Sequence, residues 1–262
     1  MILVKYGGHA MVNEELALSF AANVVNLVEH GEQVVVVHGG GPQIERELKT
    51  RSISTKTVAG LRVTTPEMMD VVETVLTGRV LRDVTNSLIQ AGGAAVGITG
   101  RDAQLFIVEK LSKSGTGETI DVGQVGEIVT INTKIITSLL AEGFIPVVAP
   151  ISADKKGIPY NVNADSAAGA LAGALQVERA IFLTDVPGLL RDWPNMDSFV
   201  AQITYDEAQA LLPNLSDGMI PKIAACLHAI KMGAKSAQII DGRVPNALLD
   251  AINMDQGTVI TA

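Results

Sequence analysis

Lys5 stands near the end of a short apolar run, Ile2-Leu3-Val4-Lys5-Tyr6, that leads straight into Gly7 and Gly8. A second run, Val34 to Val37, leads into His38-Gly39-Gly40-Gly41-Pro42. A lysine ammonium beside glycine amides is equipment for holding phosphate. Glycine has no Cβ, so backbone N–H groups can approach an anion closely, and the helix that follows adds the positive end of its dipole. Either turn alone is also what a tight strand-to-helix connection requires. The doubled turn, with a lysine in the first strand, points to a bound anion.

Other chemistries fit these residues poorly. His38-Gly39-Gly40-Gly41 has the form of the oxyanion loop of some esterases, but no serine has glycine two residues away on both sides, so the nucleophile elbow is missing. Lys49-Thr50, Lys56-Thr57, Lys113-Ser114 and Lys235-Ser236 all lack the preceding glycine of a Walker A loop. In a dinucleotide fingerprint starting at Gly39, Ile44 falls where Gly or Ala belongs. The four histidines, His9, His30, His38 and His228, have no zinc spacing, so a metal held by side chains alone is not expected. Cys226 is the single cysteine, which excludes an internal disulfide. For His38 a hydrogen-bonding place at the strand end fits better than a catalytic base.

The elements that must position these residues follow from the pattern of the chain. With 262 residues, 47% of them apolar and few aromatic, the chain can bury a large core. Val34 to Val37 reads as a strand covered on both faces, as in a parallel sheet. Helical spacing marks Glu14 to Glu32, Pro42 to Thr50, Thr133 to Ala141, Asp165 to Leu175, Tyr205 to Leu212, Met219 to Met232 and a stretch from Pro245. Thr64, Thr65, Pro66 and Glu67 open a further helix reaching Gln90, with Thr64 and Glu67 spaced as a capping box. Strands are expected at Ala95 to Thr99, Phe144 to Pro150, Ile181 to Thr184, Gln238 to Ile240 and Thr258 to Ile260. Leu105 to Ile131, broken by Gly115, Gly117, Gly123 and Gly126, reads as a hairpin excursion. The fold class is α/β: an open, mostly parallel sheet sandwiched by helices, in two closely packed lobes, 1–177 and 178–262.

A net charge of −8 without clustered Lys and Arg speaks against nucleic acid as partner. No run approaches the roughly 20 apolar residues of a membrane span, and the chain opens on a core strand in place of a leader. The expectation is a cytoplasmic protein with small-molecule ligands. In open α/β sheets these bind beyond the carboxyl ends of the strands, so Lys5, Gly39 to Gly41 and Thr184-Asp185 can share one edge.

Six motifs occur in order: Lys5-x-Gly7-Gly8, His38-Gly39-Gly40-Gly41, Gly60-Leu61-Arg62-Val63-Thr64, Asn161-Val162-Asn163-Ala164-Asp165, Thr184-Asp185-Val186-Pro187-Gly188 and Asp217-Gly218-Met219-x-x-Lys222. Together, over essentially the whole chain, they resemble the acetylglutamate kinases of the amino-acid kinase family. The resemblance implies phosphoryl transfer from ATP to the γ-carboxylate of N-acetyl-L-glutamate, in arginine biosynthesis. It makes Lys5 and Lys222 the catalytic cations, with Asp165 orienting both. It places Gly40, Gly41, Arg62 and Asn161 on the acceptor substrate, and Gly7, Gly8, Thr184, Asp185 and Met219 on the nucleotide. Magnesium is implied as a cofactor that arrives on the phosphates of ATP. A carboxylate acceptor is already ionised at neutral pH, so no general base is needed.

Each residue also has a plain reading. Lys5 and Lys222 fit solvated lysines, Arg62 a surface arginine, Asp165 a helix N-cap, and Thr184-Asp185 a turn. Arginine-inhibited hexamers of the resembled family carry an extra helix before the first strand, which this sequence lacks, so the expectation is an arginine-insensitive homodimer with Pro66 to Gln90 at its interface. Two alternatives remain at this level: a kinase of carrier-linked aminoadipate or glutamate in lysine biosynthesis, and a non-catalytic nucleotide or amino-acid sensor. Arg191 to Phe199 carries no assignment.

Overall fold

Valine-rich runs without a polar face must be covered on both sides, and they are. The computed structural model describes residues 1–7, 11, 13–58, 61–113, 117–216, 218–254 and 256–262. Leu3, Val35 and Val37 enter one apolar core, while Ile2, Val4, Val34 and Val36 enter another on the opposite face of the same sheet. Among the described residues the sheet has eight strands, in the order Gln202–Thr204, Thr258–Thr261, Ser236–Asp241, Arg179–Thr184, Ile2–Tyr6, Val34–His38, Ile145–Ala149, Ala95–Thr99. From Ser236–Asp241 to Ala95–Thr99 the pairing is parallel throughout. Thr258–Thr261 runs antiparallel to its neighbour, and Gln202–Thr204 follows its direction at the edge. This is the open, mostly parallel sheet that the sequence pattern predicts. Strands from residues 2–149 fill one half and strands from 179–261 the other, meeting where Ile2–Tyr6 pairs with Arg179–Thr184.

The excursion after Leu105 is a hairpin, Phe106–Lys110 antiparallel to Val125–Ile131; its Gly115 lies outside the described residues. Two strands that the sequence pattern does not reveal, Ile151–Ala153 and Pro159–Val162, join that hairpin in a small closed barrel. They are three and four residues long, too short to show a period. The barrel matters because Pro159–Val162 leads directly into the helix Ala164–Ala174 beside the first two strands.

Pro66 to Gln90 is one helical run, α-helical over Pro66–Glu73 and Leu81–Gln90 and π-helical over Thr74–Val80. Its start corrects the expected capping box. Thr64 is fully buried, its N–H donates to the Val122 carbonyl at 2.9 Å, and its carbonyl accepts from the Gln124 N–H at 2.7 Å. Committed to that pairing, Thr64 cannot cap. Thr65 does so instead, its hydroxyl oxygen accepting from the Met68 N–H at 3.2 Å, which leaves Glu67 one position short of the reciprocal bond. Thr65→Ala is expected to lower unfolding free energy by about 1 kcal/mol in urea titration. An unchanged midpoint would show that the helix start is held by other contacts.

Candidate active site

Lys5 is fixed from both sides by parallel pairing, with Val37 on one flank and Phe182 on the other. Its side chain is 10% exposed, and its ammonium lies 2.9 Å from Oδ1 of the equally shielded Asp165. The approach is off the direction of a hydrogen bond to that oxygen, so charge is what holds the pair. Gly7 makes the arrangement possible. A Cβ there would fall 2.8 Å from the Lys5 ammonium, and any side chain would displace it.

Asp165 is not the cap of its helix. Asn163 is, its Oδ1 accepting from the Ser166 N–H at 3.0 Å. The Asp165 carboxylate is thereby released to face Lys5 from the first turn, where the helix dipole also favours negative charge. Asn163 lies inside a motif singled out from the sequence, yet its capping role was missed there; Asn before an Ala-rich helix is the signal that carries it.

The second glycine turn lies beside the first. The Gly39 N–H donates to the Tyr6 carbonyl at 2.7 Å, and a Cβ on Gly39 would lie 3.7 Å from the Gly7 Cα and 3.9 Å from the Ala164 Cβ. Gly40 precedes the helix Gly41–Thr50, which has no side-chain cap and carries Pro42 in its first turn. A Cβ on Gly40 would collide with Leu76 of the π-helical segment and come within 3.4 Å of Val80. Gly41 meets nothing, so its open side is free for an anion at a helix start whose first amides have no side-chain partner. His38 is fully buried, with Nδ1 2.7 Å from the Gly39 carbonyl oxygen. Burial drives its pKa down to about 4 against the weaker opposing effect of that bond, so the imidazole is neutral at pH 7. It fills the hydrogen-bonding place expected of it.

Arg62 lies in a two-stranded ribbon, opposite Thr57. Burial lowers its guanidinium pKa, with the charge of Glu45 opposing. That influence puts Arg62 near the helix that begins at Gly41. Its Nη1 is shielded from solvent and meets no acceptor among the described residues. Asn161 lies close in the network: its N–H donates to Gln124 at 2.9 Å, and the Gln124 N–H donates to Thr64, two residues past Arg62.

Lys222 is the residue that the structure does not bring to Asp165. It is half-buried, and its ammonium donates to the Gly218 carbonyl at 3.1 Å. The helix is close, however. One turn further along Ile220–Lys231, the buried Cys226 thiol is pushed up by burial and then by the charge of Asp165. Met219 is buried in the apolar core just before that helix. Thr184 is buried at the end of its strand, its hydroxyl donating to Val186 at 3.1 Å and accepting from the Val186 N–H at 3.2 Å, which builds the turn containing Asp185. Gly8, Gly60 and Asp217 lie outside the described residues.

A parallel α/β sheet with paired glycine turns and a buried lysine–aspartate pair at its carboxyl edge is the layout of a phosphoryl-handling domain. The family model described as amino acid kinase family matches residues 1–241, and the chain belongs to that family. It is 50% identical to an acetylglutamate kinase from Acidothermus cellulolyticus over 260 residues, covering 98% of this chain and 88% of that one. It is 49% identical to an acetylglutamate kinase from Corynebacterium urealyticum, covering 95% and 82%. Among solved structures it is similar to smu.665 from Streptococcus mutans UA159, with a TM-score of 0.82 and 29% identity, covering 100% and 98%.

Breaking the buried pair should be costly. Asp165→Ala leaves the Lys5 ammonium buried without its counter-charge, for an expected loss of about 3 kcal/mol of stability in denaturant titration. A loss below about 0.5 kcal/mol would mean that Lys5 reaches water and that the pair is not a buried one.

Proposed function

We propose that the protein transfers the γ-phosphoryl group of ATP to the γ-carboxylate of N-acetyl-L-glutamate, giving N-acetyl-L-glutamyl 5-phosphate and ADP, as a step of arginine biosynthesis. The observation that carries this reading is the shielded Lys5–Asp165 pair beside the two glycine turns, with the side of Gly41 open, in a chain half identical to an acetylglutamate kinase. An acceptor carboxylate oxygen forms the new bond to phosphorus while the bond to the bridging oxygen of ADP breaks. No proton has to be removed, so the task is to hold two anions in line and neutralise their charge. Burial makes His38 a weak base, in keeping with a site that needs none.

In this reading Lys5 neutralises charge on the transferring group from the acceptor side, and Asp165 keeps its ammonium in place. Lys222 swings from the Gly218 carbonyl to the nucleotide side when ATP is bound. Gly40 and Gly41 present amides to the reacting carboxylate, Arg62 uses its unpartnered guanidinium edge on the α-carboxylate, and Asn161 makes a further acceptor contact. Gly7, Gly8, Thr184, Asp185 and Met219 enclose the nucleotide. Magnesium held by its phosphates would offset their charge; Asp165, the carboxylate nearest Lys5, is already engaged. Residues 1–177 serve the acceptor and 178–262 the nucleotide. A cytoplasmic homodimer joined through Pro66 to Gln90, where Ile89 is exposed, completes the reading. No helix among the described residues is long and apolar enough to cross a membrane.

Acyl phosphate formed from N-acetyl-L-glutamate and Mg-ATP, trapped with hydroxylamine, tests the reaction, with glutamate, aspartate and aminoadipate run in parallel. Product from the acetylated substrate alone is expected; product from none, or only from a carrier-linked acid, overturns the reading. Arg62→Ala should raise the KM for the acceptor with little change in kcat. Lys222→Ala should lower kcat by about 10² with the fold intact, and a near-normal rate would remove Lys222 from the catalytic set.

A further inference from the structure

Resting on the acceptor role of Gly40 and Gly41 given above, we propose that His38 is a positioning residue: by holding the Gly39 carbonyl, its Nδ1–H sets the direction of the Gly40 amide toward the acceptor carboxylate. The argument is one of peptide geometry. The Gly39 carbonyl and the Gly40 N–H belong to one planar trans peptide and point in opposite directions. Fixing the oxygen therefore fixes the hydrogen. His38 fixes it with a 2.7 Å bond from a side chain that has no exposure to water.

The adjoining peptide is fixed too, because the Gly39 N–H donates to the Tyr6 carbonyl at 2.7 Å. Leu76 and Val80 close the remaining side of Gly40. Three consecutive glycines would otherwise be very free backbone, and the cost of ordering them would fall at the moment of binding. Here that ordering is built in before the substrate arrives.

The other imidazole nitrogen strengthens the argument. With the proton on Nδ1, Nε2 is an acceptor, and it is buried without a partner among the described residues. A buried acceptor left unsatisfied is destabilising. Leucine would fill the same space without that cost, so packing alone does not account for a histidine here.

His38→Asn retains a donor near Nδ1, whereas His38→Leu removes it. Steady-state acyl-phosphate assays should give His38→Leu an acceptor KM raised about tenfold, as for loss of one oriented hydrogen bond. Its KM for ATP should change less than about twofold, and His38→Asn should stay within about threefold of the parent for both substrates. An unchanged acceptor KM in His38→Leu, equal defects in both variants, or equal losses for both substrates would each overturn the proposal. Gly40→Ala serves as the control. If it raises acceptor KM while the His38 variants do not, positioning by His38 fails alone; if it does not, the acceptor role of the glycine loop fails and this proposal with it. A readout independent of activity is 15N NMR of the protein with labelled histidine. One imidazole held as the Nδ1–H tautomer from pH 6 to 8, absent in His38→Asn, is expected; the Nε2–H tautomer at His38 would overturn the proposal.

Discussion

A charged side chain that is only one-tenth exposed is costly to bury unless an opposite charge meets it, and the pairing of Lys5 with Asp165 shapes the surrounding structure. The carboxylate has to come from an element that ends at the same sheet edge, which is the first turn of Ala164–Ala174. For Asp165 to face Lys5 it must be excused from capping, hence Asn163. For the helix to start there, the chain has to be delivered by Pro159–Val162 of the small barrel, whose pairing also leads to Thr64 and the neighbourhood of Arg62. For the ammonium to have room, residue 7 has to lack a side chain. One buried charge thus links the sheet, the barrel and the Asp165 helix.

The groups described at this edge include Lys5, glycine amides and a neutral imidazole, with the nearest carboxylate, Asp165, engaged by Lys5. That composition suits transfer between anions. It also reconciles a strongly negative chain with anionic ligands. The net charge of −8 describes the whole chain, whereas a ligand meets local groups, among them the uncapped start of Gly41–Thr50.

Much of the fold was legible because the sheet is buried on both faces. Val34 to Val37 has no alternation to misread, and the helices carry clear apolar spacing. What stayed hidden was short or non-local. Strands of three and four residues have no period, and the choice of Thr65 over Thr64 as cap was decided by a pairing with residues 122–124 that no local pattern announces. At the site, residue types were readable and distances were not. Lys5 and Asp165 are far apart in sequence, and their contact was inferred from the order of motifs, as was the place of Arg62. The Lys222 ammonium at the Gly218 carbonyl was not foreseeable, since a flexible four-carbon side chain takes whichever acceptor is near. His38 was readable as a strand-end hydrogen-bonding residue, but an Nε2 without a partner among the described residues was not.

The π-helical segment Thr74–Val80 brings Leu76 and Val80 against Gly40. Each residue of an α-helix advances its neighbours by about 100° around the axis. The wide turn advances each of its residues by less than that angle, so it takes up one residue more than an α-helix would over the same arc, and Leu81, Val84 and Leu88 still face the core. Removing a single residue from this stretch would return it to α-helical winding with the phase of Leu81 to Gln90 nearly unchanged, and what would be lost is the bulge that sets Leu76 and Val80 against Gly40. The extra residue therefore shapes the wall behind the glycine turn and not the packing of the helix that follows.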